Sequence, residues 1–193
     1  MAEVAAVRTP FAPAQLVAAL SDAYRVQLGH DPAPATLAIL CGQAALETAN
    51  GRVCVCNNPG NYKRGPGPDW CAFETTEYVG TPPVKTSMVC EFSAWPTLED
   101  ACAFFVSSLY TSWPEAWAGA VAGDVGAFCA GLRKRGYFTA PLELYAAGVA
   151  RWRDYYLALL GGDDRVTEPE IVTPADAAVE ATAGLLDSDD PPA

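Results

Sequence analysis

The sequence predicts an α+β fold that is mostly helical, in which a small β-hairpin interrupts a bundle of helices. Apolar residues recur at helical spacing before residue 49 and again after residue 96, whereas residues 50–70 are rich in glycine, proline and asparagine. Between these blocks, residues 71–79 and 85–92 alternate imperfectly between apolar and polar around the turn-forming residues 80–83, as two strands of a hairpin would. We expect the helical and β lobes to enclose a cleft.

Two helices precede the loop. Residues 13–28 carry an apolar stripe at helical spacing and are followed by Gly29, a typical helix terminator. Residues 36–48 are apolar on nearly all sides, which predicts a helix in the middle of the core. The polar exceptions are Gln43 and Glu47, which are four residues apart and therefore share one helix face.

Four further helices are predicted after the hairpin. Thr97 and Asp100 resemble a capping box at the start of the first, and a short helix follows Pro114. Asp124 is positioned to cap the next helix. The last helix is predicted over residues 141–160, and two glycines end it.

The charge is concentrated at the C-terminal end. Residues 1–162 form the predicted domain, and residues 163–193 form an acidic tail, rich in alanine, proline and aspartate, that we expect to be largely disordered. The tail has nine acidic residues and one basic residue, so it carries −8 of the net charge of −11. A nearly neutral domain without a basic cluster argues against nucleic-acid binding. No transmembrane segment and no secretory signal are expected from the sequence.

Seven cysteines cannot all pair within one chain. Cys41, Cys102 and Cys129 lie on apolar helix faces and are expected to be core residues. The other four lie in the loop and strand region, where a disulfide would be useful: Cys54, Cys56, Cys71 and Cys90. A metal site is not expected, because the C-x-C spacing is not that of a zinc site and His30 is the only histidine. No cofactor is expected.

Glu47 is the candidate catalytic residue. A carboxylate near the end of an apolar helix is costly to bury in its charged form, and a helix C-terminus disfavours negative charge, so both effects raise its pKa. A carboxyl that keeps its proton beside a cleft is what glycoside cleavage needs, because the leaving oxygen must be protonated. The alternative is a glutamate at the helix end that turns to solvent.

Five segments, in the same order along the chain, match the motifs of a known family. Residues 43–51 resemble the signature AQAALETGxG, residues 57–63 resemble NNxxGxK, and residues 76–78 resemble the strand motif TxEY. Residues 92–101 and 136–145 resemble FRxYxSxxES and GYATDPxYA. On these motifs the chain resembles the bacterial and phage N-acetylglucosaminidases of glycoside hydrolase family 73, which have a lysozyme-like fold. The chain departs from the motifs where the family has glycine, arginine and aspartate, namely at Ala49, Ser93 and Ala140.

The resemblance implies a hydrolase of peptidoglycan glycan strands that cleaves beside N-acetylglucosamine. Glu47 would be its general acid, and Glu77 would be a second carboxylate that activates water or stabilises the oxocarbenium-like transition state. Strand alternation gives Glu77 one sheet face, which we expect to lie across the cleft from Glu47. Tyr137 would hold the sugar or position its N-acetyl group. Substrate contacts would come from Gln43, Asn57, Asn58, Asn61, Tyr62, Trp70 and Tyr145.

Several alternatives stay open from the sequence. Glu77 could be an exposed strand residue, the asparagines could only form turns, and the aromatic residues could belong to the core. The same fold could serve a muramidase or a lytic transglycosylase, in which one glutamate suffices, or a non-catalytic wall-binding module. Without a signal peptide, the protein would reach the wall as a phage lysin or virion part, or through a secretion machine or other non-classical export.

Overall fold

The structure is a computed structural model that describes residues 1–79, 84–163 and 165–170, and within the strands it describes all side chains except those of residues 76–79 and 85. This part of the chain contains six helices and one antiparallel pair of strands. The elements are α1 (Pro13–Leu28), α2 (Pro34–Thr48), β1 (Asp69–Val79), β2 (Val84–Ala94), α3 (Leu98–Ser112), α4 (Pro114–Val121), α5 (Val125–Lys134) and α6 (Leu142–Leu160). The predicted α+β fold, a helical bundle interrupted by a β-hairpin, is confirmed.

Helix α2 is the central helix of the core, as its apolar sequence predicts. Twelve of its 15 residues are buried. It lies against α6, and two glycines allow the helices to approach closely. A Cβ on Gly42 would be 2.9 Å from the backbone nitrogen of Arg153, and a Cβ on Gly148 would be 2.9 Å from the side chain of Leu46. The first turns of α6 therefore lie directly beside the C-terminal end of α2.

The hairpin pairs in one register from Asp69 opposite Ala94 to Val79 opposite Val84. The N-terminal segment, for which the sequence predicts no strand, is added to its base. The backbone nitrogen of Val4 donates to the carbonyl of Trp70 at 2.8 Å. Further along, residues 7–9 exchange backbone hydrogen bonds with residues 54–56 in the loop after α2. The N-terminal segment thus joins the hairpin to this loop.

The residues that follow α6 also contact the domain. Glu168 accepts a hydrogen bond of 3.1 Å from the Asn50 side chain and forms an ion pair with Arg52, and Val166 packs against the core. The domain's contacts therefore extend past the predicted boundary at residue 162, because two side chains of the loop after α2 hold Glu168. Residues 171–193, which make up most of the predicted disordered tail, lie outside the described residues.

The cysteines expected in the core, Cys41, Cys102 and Cys129, are buried there with free thiols. Within the part of the chain that the structure describes, no three histidine, cysteine or acidic side chains are grouped so that they could hold a metal ion. In the same residues, none of the helices combines the length and the hydropathy that crossing a membrane requires.

Candidate active site

Glu47 lies in the last turn of α2, where the helical lobe meets the hairpin. Its side chain is partly exposed and lines a narrow cavity between the two lobes. The remaining lining residues come from the end of α2, the loop after it and the two strands: Thr48, Val53, Cys54, Val55, Asn58, Asn61, Phe73 and Phe92. Glu47 therefore lines a small cavity at the place where the sequence predicts a cleft between the lobes.

The turn after Glu47 requires left-handed backbone conformations. Ala49, Asn50 and Gly51 have φ values of 49°, 55° and 84°. The Thr48 hydroxyl accepts a hydrogen bond of 3.0 Å from the nitrogen of Gly51, and the buried Asn50 side chain accepts one of 2.5 Å from the Tyr156 hydroxyl. Position 49 is glycine in the family that the chain resembles. In this chain the positive φ makes the alanine side chain costly, by roughly 1–2 kcal/mol relative to glycine.

The Glu47 carboxyl is held and its acidity is weakened by its surroundings. The Tyr145 hydroxyl donates a hydrogen bond of 2.7 Å to Glu47 Oε1. Burial raises the pKa of Glu47 to about 7, against the lowering effects of hydrogen bonds from Tyr145 and Asn61 and of the charge on Lys63. A carboxyl that is protonated up to about neutral pH and fixed in orientation can act as a general acid.

Tyr145 and Gln43 are buried and do not line the cleft. Tyr145 is 2% exposed, and its ring stacks on Phe138 with the ring centroids 3.7 Å apart. Gln43 is 0% exposed, and neither polar atom of its amide has a hydrogen-bond partner among the described residues. Tyr145 binds Glu47 and Gln43 is enclosed by protein, so the substrate contacts expected of these two residues stay predictions.

Two of the three candidate asparagines hold the loop before β1. The Asn57 amide donates to two backbone carbonyls just beyond β2, each at 3.0 Å. The buried Asn58 amide donates to the carbonyls of Tyr62 and Ser93, at 2.9 and 3.1 Å. The side-chain amide groups of both residues thus hydrogen-bond to the backbone of the protein. Asn61 is exposed and lines the cavity beside Glu47, so it is the asparagine best placed to touch a substrate.

The candidate aromatic residues mostly pack against other parts of the protein. Tyr62 is half-buried and packs edge-on against Tyr137 at a centroid distance of 5.8 Å. The Tyr137 hydroxyl donates to the carbonyl of Gly60 at 2.7 Å, so this residue ties the loop to the helical lobe. The guanidinium of Arg64 covers one side of the Trp70 ring at 3.9 Å. The catalytic role of Tyr137 and the sugar contacts of Tyr62 and Trp70 stay predictions.

Glu77 belongs to β1, where its backbone lies opposite Thr86. Its side chain is outside the described residues, so its predicted position across from Glu47 stays a prediction. The other two glutamates of the hairpin are exposed and engaged elsewhere: Glu74 accepts a hydrogen bond of 2.5 Å from Ser87, and Glu91 pairs with Arg64 at 3.0 Å. They are therefore poor substitutes for Glu77.

Three residues beside Glu47 have no role in the sequence-based prediction. Phe73 and Phe92 line the cavity and stack with their centroids 4.4 Å apart, and the Lys63 ammonium lies over the Phe92 ring, 4.1 Å from its centroid. Strand alternation alone does not say which face of the hairpin meets the helical lobe. For Lys63 the available signal is its place at the end of the NNxxGxK-like segment.

A helical bundle interrupted by a β-hairpin, with a carboxyl group where the two lobes meet, is consistent with a lysozyme-like fold, and several solved structures are similar to the chain. The catalytic domain of the autolysin Auto from Listeria monocytogenes is 18% identical, with 79% of this chain and 89% of that chain covered and a TM-score of 0.55. A peptidoglycan hydrolase from Sphingomonas sp. A1 is 21% identical, with 82% and 99% covered and a TM-score of 0.52. The glycoside hydrolase domain of FlgJ from Salmonella typhimurium is 19% identical, with 92% and 99% covered and a TM-score of 0.50.

These likenesses show the fold, which is the N-acetylglucosaminidase-like fold that the sequence motifs imply. No model of a known protein family matches the chain, and no curated protein matches it.

Proposed function

We propose that the protein is a peptidoglycan hydrolase that cleaves the glycan strand beside N-acetylglucosamine, with Glu47 as the general acid. The observation that carries this proposal is the Glu47 carboxyl, which faces the cleft, has its pKa raised to about 7 and is held by Tyr145. Two further findings support it. Solved structures of the same fold are peptidoglycan hydrolases, and five sequence segments resemble one family of such enzymes.

The chemistry follows from the protonated carboxyl. Glu47 gives its proton to the glycosidic oxygen as the bond from that oxygen to the sugar carbon breaks, and a water molecule then adds to the carbon. The Tyr145 hydroxyl binds one carboxyl oxygen and fixes the plane of the group. Burial keeps a substantial fraction of Glu47 protonated near neutral pH, where an exposed glutamate would be almost wholly ionised.

We propose Glu77 as the second carboxylate. Alternation along β1 gives position 77 the same sheet face as Phe73, which lines the cavity. Position 77 is four residues further along the strand than Phe73, which corresponds to about 13 Å. A base that acts through water would need its carboxyl roughly 6.5–9.5 Å from that of Glu47. Closure of the hairpin on bound substrate would provide such a separation.

The test is the degradation of purified cell walls by the wild type and by Glu47→Gln, followed by turbidity and by mass spectrometry of the products. The variant is nearly isosteric but has no transferable proton, so we expect its rate to fall by roughly 10²–10⁴-fold. Glu143→Gln, in the exposed first turn of α6, is the matched control and should degrade walls like the wild type. Near-wild-type activity of Glu47→Gln would refute the assignment of the acid.

The products separate the related activities. Reducing ends at N-acetylglucosamine are expected. Reducing ends at N-acetylmuramic acid would indicate a muramidase, and anhydro ends would indicate a lytic transglycosylase that needs no second carboxylate. A wild-type protein that binds walls but releases no product would be a wall-binding module.

A further inference from the structure

The position of Lys63 is set by the turn that precedes it and by β2. Its backbone forms a bridge with Phe92, and its carbonyl accepts a hydrogen bond of 2.9 Å from the buried Ser93 side chain. One residue earlier, the Tyr62 nitrogen donates to Asn58 Oδ1 at 2.9 Å. The backbone of Lys63 is therefore held against β2, and the turn that precedes it is closed by the Asn58 side chain.

This arrangement places a positive charge next to Phe92, one of the residues that line the cavity beside Glu47. The Lys63 ammonium lies 4.1 Å from the centroid of the Phe92 ring, which is 3% exposed and lines the cavity. An ammonium over an aromatic face is attracted by the electron density of the ring. The cation therefore lies against a ring of the hairpin wall of the cavity, and the acid lies on the helical side.

The groups that act electrostatically on Glu47 come from α6, from the loop before β1 and from the connection between α5 and α6. They are Tyr145, Asn61, Tyr62, Lys63 and Tyr137. Burial raises the pKa values of the three tyrosines, so they are neutral at physiological pH. Among the described residues, Lys63 is accordingly the one cation that favours the ionised form of the acid.

We propose that Lys63 is a positioning residue for the acid step, in that its charge stabilises the carboxylate that Glu47 becomes when it gives up its proton. This inference rests on the proposed function of Glu47. As the glycosidic bond breaks, its electron pair goes to the leaving oxygen, which takes the proton of Glu47. Water then supplies a hydroxyl group to the sugar carbon and a proton that restores Glu47. Lys63 keeps its own proton throughout.

Removal of the Lys63 charge should have two opposite effects on the rate. The pKa of Glu47 rises without the cation, so the alkaline limb of the pH–rate profile moves to higher pH. The same acid is weaker, so the rate on the plateau falls. A residue that only supported the loop would lower the rate without moving the alkaline limb.

The experiment compares uncharged and charged replacements. Lys63→Met keeps an unbranched side chain over Phe92 without the charge, Lys63→Gln is a second uncharged variant, and Lys63→Arg keeps the charge. Arg64→Met is the matched control, because it removes the adjacent cation, which lies over Trp70. The pKa of Glu47 is measured without substrate by ¹³C NMR of the carboxyl groups, and its signal is identified by its loss in Glu47→Gln.

We expect the pKa of Glu47 to rise by up to about 1 pH unit in both uncharged variants and to change little in Lys63→Arg and Arg64→Met. The alkaline limb of wall degradation should move by the same amount. An unchanged pKa in the uncharged variants, or an equal rise in Arg64→Met, refutes the proposal. The NMR titration needs no substrate, so it tests the effect of the Lys63 charge on Glu47 independently of wall degradation. If the wild type does not degrade walls, the proposed function is refuted, whatever the titration shows.

Discussion

The raised pKa of Glu47 implies that this residue destabilises the folded protein at neutral and alkaline pH. The folded protein binds the Glu47 proton more tightly than the unfolded chain does, because the pKa is about 7 in the fold against a reference value of 4.5. The stability that this group provides is therefore complete below about pH 4.5 and is lost as the pH rises through about 7. A difference of about 2.5 pH units, at about 1.4 kcal/mol each, sets the loss at up to about 3 kcal/mol.

Glu47→Gln removes this titration while keeping an oxygen that can accept the Tyr145 hydrogen bond. We expect the variant to be more stable than the wild type at pH 8 by up to about 3 kcal/mol, with the pH-dependent part of this advantage disappearing near pH 4.5. For a domain of this size, that advantage corresponds to a melting temperature higher by roughly 6–12 °C at pH 8. Glu47, the residue proposed for catalysis, would thus lower the free energy of unfolding at neutral and alkaline pH.

The assay is urea denaturation of both proteins at pH 5, 6.5 and 8, followed by circular dichroism. Glu143→Gln serves as the control, because it is the same substitution at an exposed side chain. A Glu47→Gln variant whose stability difference from the wild type is the same at all three pH values would refute the reasoning, since the carboxyl would then titrate alike in the folded and unfolded states.

Three further changes test the surroundings of the acid. Tyr145→Phe removes a hydrogen bond that favours the carboxylate, so the alkaline limb of wall degradation should move to higher pH in a pH–rate profile, and an unmoved limb would contradict this. Ala49→Gly should raise the free energy of unfolding by about 0.5–1 kcal/mol in urea denaturation, because glycine adopts positive φ without strain; a decrease would contradict it. Truncation after Gly162 removes the ion pair to Arg52 and should lower the melting temperature by about 2–4 °C in calorimetry, whereas truncation after Glu170 should not; equal melting temperatures would show that the segment contributes nothing.

The helices and the hairpin could be predicted because their signals are local. Helix α1 was expected over residues 13–28 and spans Pro13–Leu28, and the apolar α2 was expected in the core and is buried there. Asp124 accepts a hydrogen bond of 2.9 Å from the nitrogen of Ala127, as expected of a helix cap. Spacing of apolar residues and capping side chains both act within one or two turns of a helix, so a single sequence displays them directly.

The details of the site could not be predicted, because they depend on contacts between distant parts of the chain. Tyr145 and Glu47 are 98 residues apart, and only the close packing of α6 on α2 brings them together. Gln43 lies one turn before Glu47 on the same helix face, which favoured a role for both residues at the cleft. At the position of Gln43, however, other parts of the protein cover this face completely. The acidic composition after residue 162 predicted disorder and did not indicate that Glu168 forms an ion pair with Arg52.

The loop after α2 is bound both by the N-terminal segment and by residues that follow α6. These contacts affect the stage of folding at which the cleft can form. Residues 7–9 pair with it across about 45 positions, and Glu168 binds it across 116 to 118 positions. Contacts between residues so far apart in sequence form slowly, because a long stretch of chain must be ordered first. During synthesis, which proceeds from the N-terminus, the helices before residue 160 can begin to pack while Glu168 is still to be added. The cleft beside Glu47 should therefore be among the last parts of the molecule to reach its final geometry.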